Sequence, residues 1–309
     1  MANISSVTVT VPATTANLGP GFDCLGAALS LYNQFKFTLL DESVLTPLEI
    51  IVEGKEANKV STDTSNLVYQ SFLKLYQYLN KQPPAIKIEI FMEIPLARGL
   101  GSSATAIIGG LMGANELMGE PLELFQLRDL AIAIEGHPDN VVPALLGNCQ
   151  LSIKDELGNW SICQLPWHSD ITCVLAIPDF ELSTEEARKV IPSQISRSDA
   201  IFNISRLGLL IRGLEAGQGD WLGVAMADKL HQPYRQKLIF GYEAVASAAL
   251  TGGAYGTVIS GAGPTLLALT NSEKAGSVVS AMAKAWEEQG IKADVRVLSL
   301  DEEGARIVI

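Results

Sequence analysis

Apolar and polar residues alternate along the start of the chain. Val7, Val9 and Val11 are separated by Thr8 and Thr10, and Phe35 and Phe37 alternate with polar neighbours. A period of two puts like residues on one face, so both stretches predict half-buried strands, with a turn-rich loop, Pro12 to Gly26, between them. Residues 48–53 predict a further strand. The period then lengthens. Val68, Phe72, Leu75, Tyr76 and Leu79 recur at helical steps, which predicts a helix capped by Ser65 and ended by Pro83-Pro84. Ile86, Ile88 and Ile90 return to period two, and a glycine loop and a helix to about Met118 follow. Gly119-Glu120-Pro121 separates this from a helix over roughly 122–135, which runs into Gly136-His137-Pro138-Asp139-Asn140.

The second half predicts strands near 149–153 and 171–177 and helices at about 184–191, 197–215 and 236–250. Strands at 256–260 and 265–270 flank Ser260-Gly261-Ala262-Gly263-Pro264-Thr265, and a helix at 273–288 and a strand at 293–299 follow. Strands and helices mix in both halves without a regular βαβ repeat, which argues for α+β layers over a doubly wound sheet. Pro166-Trp167 and a polar turn suggest a division into residues 1–165 and 166–309.

Composition narrows the function classes. A chain of 309 residues with 48% hydrophobic content has ample material for a core of one large or two ordinary domains. Its 22 Lys and Arg against 34 Asp and Glu leave −12, which removes the diffuse attraction that non-specific nucleic-acid or anionic-membrane binding needs. An anionic ligand would need a local, shaped site. Met1 to Val11 carries no basic segment followed by an apolar one, and no stretch approaches the length of a membrane span, so the expectation is a cytoplasmic protein. Cys24, Cys149, Cys163 and Cys173 show no metal-binding spacing and are expected as reduced thiols.

Pro95-Leu96-Ala97-Arg98-Gly99-Leu100-Gly101-Ser102-Ser103-Ala104-Thr105 is the first candidate for chemistry. Glycines 99 and 101 remove side chains where backbone must approach a ligand, and the serines open a helix whose first amides are free. A helix N-terminus carries about half a positive charge, so an anion there is favoured even in an acidic protein. Gly99-x-Gly101-x-x-Ala104 also fits a dinucleotide fingerprint, but Ile94 to Arg98 separate it from its strand and the stretch 122–135 reads as helix where a second strand is required. No Gly-Lys-Ser/Thr occurs. Alone, the loop could equally be a tight strand-to-helix turn.

It is not alone. Pro12-Ala13-Thr14-Thr15-Ala16-Asn17-Leu18-Gly19-Pro20-Gly21-Phe22-Asp23, the glycine loop, Glu135-Gly136-His137-Pro138-Asp139-Asn140 and Ser260 to Thr265 together resemble the GHMP small-molecule kinases, in that family's order and across nearly the whole chain. Within them the chain is similar to the homoserine kinase branch. The resemblance implies an N-terminal ribosomal S5 domain 2-like domain, a C-terminal ferredoxin-like domain, and ATP and substrate between them.

The resemblance also implies roles. Pro95 to Thr105 would wrap the ATP phosphates, with Ser103 and Glu135 reaching Mg²⁺, a cation that accepts a few hard oxygen ligands and keeps its waters. Ser102 could instead cap the helix. Asn140 stands where mevalonate-type relatives place an aspartate, and an amide cannot accept the proton, so Asn140 would orient the acceptor hydroxyl. The lysine that those relatives carry in the first motif is also missing. L-homoserine would be held by Asn17, Asp23, His137, Asn140, Arg188, Arg235 and Gly261, with Asn140 and Arg188 nearest the chemistry. An amino-acid substrate needs an anion for its ammonium and preferably an arginine for its carboxylate. The expected product is O-phospho-L-homoserine, on the route to threonine, from a homodimer. Another acceptor of the family, or a sensor that kept the fold without turnover, are the other readings. Taken singly, Glu135 and Arg188 read as solvated helix residues, Asp23 and His137 to Asn140 as turns, and Ser260 to Thr265 as a hairpin-like turn. His168 and His231 have no partner pattern and are assigned no chemistry.

Overall fold

The computed structural model describes residues 5–41, 47–54 and 56–308. The leader reading of Met1 to Val11 thus lies partly, at residues 1–4, outside the described residues.

The chain runs β1 (Ser6–Ala16), β2 (Leu25–Leu39), β3 (Leu48–Gly54), α1 (Leu67–Tyr78), β4 (Ile86–Met92), α2 (Ser102–Leu117), α3 (Leu124–Glu135), α4 (Pro138–Leu146), β5 (Cys149–Lys154) and β6 (Trp160–Leu165). It continues through β7 (Thr172–Pro178), α5 (Thr184–Lys189), α6 (Arg197–Ala216), α7 (Gly219–Ala225), α8 (Gln232–Arg235), α9 (Tyr242–Gly252), β8 (Gly256–Ile259), β9 (Leu266–Thr270), α10 (Ser272–Glu288), β10 (Ala293–Leu298) and β11 (Arg306–Val308). Among the described residues, no helix is long and apolar enough to cross a membrane.

Two sheets organise these elements. The first has the order β11-β1-β2-β4-β3, with β5 and β6 extending from the start of β2. The second has the order β10-β7-β9-β8, antiparallel throughout, which is the ferredoxin-like arrangement. The alternation read at 7–11 extends further than the sequence suggested: β1 runs to Ala16 and β2 begins at Leu25, so the loop between them shrinks to residues 17–24. β11 pairs with β1 in the first sheet, so the chain end lies outside the second half to which the sequence division assigned it.

The second sheet is buried on both faces, which explains why residues 172–178 read as a nearly unbroken apolar run. Along β7, Cys173, Leu175 and Ile177 belong to one cluster with Leu25 and Leu29 of the first sheet and Leu214 of α6, while Val174 and Ala176 face α9 and α10. β9 splits in the same way, with Leu267 and Leu269 on one side and Leu266 and Ala268 on the other. One apolar cluster therefore spans both sheets and fixes the cleft between them. A separate cluster fills the space between the first sheet and α1 to α4.

Local corrections have local causes. Asn66, not Ser65, caps α1, its side chain accepting from the amides of Val68 and Tyr69, whereas Ser65 donates to Asp63. Residues 236–241 do not extend α9, which starts at Tyr242 after Gly241 at φ 82°. His137 to Asn140 is not an isolated turn, because Pro138 opens α4, where its missing N–H costs nothing. All four cysteines are free thiols. Burial first, then Asp139 and Asp23, push the Cys24 thiol up to about 11, so it is not a nucleophile at neutral pH.

Candidate active site

β1 ends between two loops and ties both down. The Thr14 amide donates to the Leu100 carbonyl (3.1 Å), and the Ala16 carbonyl accepts from the Gly261 amide (3.0 Å). Thr15 and Ser260 share a hydroxyl hydrogen bond of 2.9 Å, and Ser260 also donates to the Gly99 carbonyl at 2.7 Å. The glycine loop must therefore pass close to backbone on both sides. A Cβ on Gly101, at φ +68°, would lie 2.0 Å from Thr14 Oγ1, and one on Gly99, at φ +75°, 2.2 Å from the Ser260 carbonyl. Only glycine fits at these two places.

Gly101 is the N-cap of α2, so it offers no side-chain partner to the first helical amides, and Ser102 is the first helical residue rather than the cap. Those amides are the donors an anion would meet. Asn33, a buried residue that the sequence reading passed over, braces the loop at both ends. Its side-chain oxygen accepts from the amides of Glu93 and Ile94 (both 3.0 Å), and its nitrogen donates to Thr105 Oγ1 (3.1 Å). Ala97 to Ser103 line a cleft of about 120 Å³, but Pro95, Leu96, Ala104 and Thr105 lie outside its lining. Ala104 and Thr105 are wholly buried. The Arg98 side chain turns away, donating to the carbonyls of Pro178 (3.0 Å), Leu96 (2.8 Å) and Asp179 (2.7 Å). It braces the loop against the end of β7, and a phosphate would meet only its backbone.

Opposite the start of α2 stands the end of α3. Ser103 Oγ donates to Glu135 Oε2 at 2.8 Å, the one contact that joins the glycine loop to the Glu135 motif through side chains. Burial raises the Glu135 carboxyl above its ordinary range, against the Ser103 hydrogen bond, and nearby Asp139 adds to the rise. A half-buried carboxylate with one hydroxyl beside it and an anion-binding helix end opposite is a hard-oxygen donor set suited to Mg²⁺. Asp139, buried at the start of α4, holds His137 Nδ1 at 2.8 Å, and this hydrogen bond raises the imidazole above its ordinary range. Thr14 donates to Asn140 Oδ1 at 2.8 Å, which fixes the amide with one oxygen lone pair still free.

The far end of the cleft draws on both halves of the chain. Asn17, at φ 72°, donates to the Gly261 carbonyl (2.8 Å) and accepts from the Asp23 amide (3.0 Å), so it shapes the loop that presents Asp23. Arg188 grips Asp23 with both terminal nitrogens, at 3.0 and 2.8 Å. Read singly as a solvated helix residue, Arg188 instead points from α5 across to the first motif. Arg235, 1% exposed, donates to the carbonyls of Ala187 (3.1 Å) and Gly261 (3.0 Å) and also lines the cleft. Burial, then Arg188, lower its guanidinium to about 10, which leaves it charged at neutral pH.

Asn17, Asp23, Ala97 to Ser103, Glu135, His137, Asn140, Arg188, Arg235 and Gly261 thus line one cleft. His168 stays at the surface near Asp170, 3.8 Å away. His231, assigned no chemistry from sequence, is fully buried beside Arg235. Its signal was present in the close spacing of Asp228, His231 and Arg235, three and then four residues apart, with His231 capping the short α8 that carries Arg235. Among the described residues, no group of three or more His, Cys, Asp or Glu could hold a metal on its own, so a cation here would need phosphate oxygens as well.

Known proteins match this architecture throughout. Residues 66–148 match the GHMP kinases N terminal domain, and residues 210–288 the GHMP kinases C terminal domain. A homoserine kinase of Crocosphaera subtropica is 67% identical over 304 residues, 98% of each chain, and one of Trichodesmium erythraeum is 62% identical over 99% of each. The crystal structure of homoserine kinase from Cytophaga hutchinsonii superposes with a TM-score of 0.89 at 31% identity, covering 100% of this chain and 99% of that one. With sequence and fold agreeing from end to end, the chain belongs to the GHMP kinases, in their homoserine kinase family.

Proposed function

We propose that the cleft transfers the γ-phosphoryl group of ATP to the side-chain hydroxyl of L-homoserine, giving O-phospho-L-homoserine and ADP. One observation supports this acceptor above others. The bidentate Asp23–Arg188 pair and the buried Arg235 set one anion and two cations at the far end of a cleft whose near end is a phosphate loop. A zwitterion complements that arrangement, its ammonium toward Asp23 and its carboxylate toward the arginines. A sugar would leave the buried Arg235 without an anion, and a carboxylate-only acceptor would bring a second anion beside Asp23 with no ammonium to offset it.

The residues then divide the work. The free amides at the start of α2 and the backbone of Ala97 to Gly101 hold the phosphates, and Ser103 and Glu135 hold Mg²⁺, which supplies neutralisation of the charge developing on the transferred group. Asn140, fixed by Thr14, orients the acceptor hydroxyl through its free oxygen lone pair. The hydroxyl oxygen bonds to the γ-phosphorus, the bond to the bridging oxygen of ADP breaks, and the proton passes to a phosphoryl oxygen and then to solvent. An amide suffices because a loose transition state needs little activation of its nucleophile. His137 lines the cleft beside the acceptor, and its hydrogen bond to Asp139 favours the charged form of its ring. The division near residue 165, with the last strand returned to the first sheet, a homodimer and a cytoplasmic setting belong to the same reading, which light scattering and cell fractionation would test.

Magnesium-dependent ADP release from ATP, compared for L-homoserine, L-threonine, mevalonate, galactose and no acceptor, tests the reaction. Homoserine-selective release with a product heavier by one phosphoryl group is the expected outcome. ATP binding without release for any acceptor would contradict it and favour a sensor.

A further inference from the structure

His231 and Phe22 lie behind the two arginines. The His231 ring is fully buried, stacked on the Phe22 ring with centroids 5.0 Å apart and an interplanar angle of 26°. The same Phe22 ring lies beneath both guanidinium groups, 5.1 Å from the Arg235 carbon and 5.8 Å from the Arg188 carbon. Two cations brought this close repel each other, and an aromatic face attracts each of them.

The hydrogen bonds fix which form of His231 is present. Nε2 sits 2.9 Å from the Gly19 carbonyl, an acceptor only, so Nε2 carries the proton. Nδ1 then has a lone pair, and it faces Arg235 Nη1 at 3.5 Å. A neutral imidazole therefore donates to the first-motif loop, accepts toward the arginine, and offers a flat face to Phe22. Neither an amide nor a second phenyl ring does all three. Burial also disfavours the imidazolium, in keeping with a neutral ring beside two arginines. Asp228 holds the backbone of this turn, its carboxylate accepting from the amides of Leu230 (2.9 Å), His231 (2.9 Å) and Gln232 (2.7 Å) and from Asn203 Nδ2 (2.6 Å). Gln232 in turn accepts from the Ile259 amide at 2.8 Å, one residue before the Ser260 loop.

We infer that His231 and Phe22 are positioning residues for the acceptor's carboxylate: together they hold Arg235 and Arg188 over one aromatic face beside the acceptor end of the cleft, and they lock the Gly19–Asp23 loop to α8. Neither reaches the substrate. The inference rests on the proposed acceptor and concerns one of its groups alone, so the test removes that group.

The experiment compares L-homoserine with 3-aminopropan-1-ol, the same acceptor without its carboxylate, on the wild-type chain and on His231→Phe, Phe22→Leu and Phe22→Tyr. In His231→Phe and Phe22→Leu, kcat/KM for homoserine is expected to fall about 10- to 100-fold, while the constants for ATP and for 3-aminopropan-1-ol stay within about 3-fold. The preference for the carboxylate thereby collapses, and Phe22→Tyr, which keeps the aromatic face, restores it. Equal losses on the two acceptors, a parallel rise in the ATP constant, or no change at all would overturn the inference, since a merely structural role moves both acceptors together. If His231→Phe does not fold, Phe22→Leu, at a half-exposed position, decides the matter. A wild-type chain that releases no ADP with homoserine would overturn the function itself, whereas wild-type activity with equal losses overturns only the positioning role.

Discussion

At the phosphate end of the cleft, one continuous stretch from Ala97 to Ser103 supplies the wall, mostly as backbone, and Ser103 reaches Glu135 across it. At the acceptor end the wall is made of side chains whose partners lie far off in sequence, 165 residues for Asp23 and Arg188 and 244 for Asn17 and Gly261. A polyphosphate is a regular array of oxygens, which a row of amides at a helix start can bind. An amino acid presents two opposite charges on one carbon, and only ionised side chains from different segments can bracket it. The phosphate end is therefore set by local conformation, and the acceptor end by how the two sheets pack.

The sharpest way to break the phosphate end is to remove its carboxylate. Glu135→Ala is expected to lower kcat by about 100- to 1,000-fold, the range for losing one charge-stabilising group, and to raise the Mg²⁺ requirement. Titrating initial rates with magnesium checks both. Gly101→Ala should follow, at about 100-fold, because its Cβ would meet Thr14 Oγ1 at 2.0 Å and shift the loop and Asn140 together. Homoserine binding measured alone should change far less than turnover in that variant.

At the acceptor end the expected effects are smaller and differently distributed. Arg188→Ala and Arg235→Ala each remove charge-assisted hydrogen bonds worth about 1.5–3 kcal/mol, which corresponds to a rise of roughly 10- to 100-fold in the homoserine constant. The ATP constant should hold. Initial-rate measurements over both substrates separate the two, and equal rises would show that the arginines brace the cleft as a whole.

The smallest effect is on stability. Burial, reinforced by Arg235 and opposed by Asp228, the Gly19 carbonyl and Asp23, lowers the His231 pKa below its ordinary 6.5. A depressed pKa means the unfolded chain binds the proton more readily, so this contribution is present above about 6.5 and is lost as pH falls toward the folded value. His231→Phe should flatten the decline in unfolding free energy between pH 7 and 5, by at most about 1.4 kcal/mol per pH unit. Denaturant titrations at several pH values read the slope, and an unchanged slope would show that His231 does not titrate in this window.

Much of the fold and the phosphate end could be read from the chain because their causes are local. Val7 to Val11 and Ile86 to Ile90 alternate because one face of the first sheet is buried, and the apolar runs of β7 and β9 reflect a sheet covered on both sides. The glycines at 99 and 101 announce a close backbone approach by their residue type alone. Other features left no periodic trace. α7 and α8 have 7 and 4 residues, too few to show a repeat, and β11 has 3. β6 is mostly exposed, and only Trp160 and Ile162 alternate toward the core, too short a pattern to stand out. α4 holds Pro138 and Pro143, residues that read as breakers until the first is seen at the helix start and the Asp139 carbonyl, which Pro143 cannot satisfy, is seen packed against Gly26. The Asp23–Arg188 grip, the Asn33 brace and the Phe22–His231 stack exist only once distant segments meet, and the family resemblance supplied Asp23 and Arg188 where spacing could not.

The division of the cleft into two independently built ends is tested most directly by crossing one variant from each. Initial rates over a grid of ATP and homoserine concentrations, for wild type, Glu135→Ala, Arg235→Ala and the double variant, give both constants in each background. The expected result is that Arg235→Ala multiplies the homoserine constant by the same factor whether or not Glu135 is present, and leaves the ATP constant in place. A homoserine constant that responds to Glu135→Ala as strongly as to Arg235→Ala would contradict the account and make the cleft one coupled site.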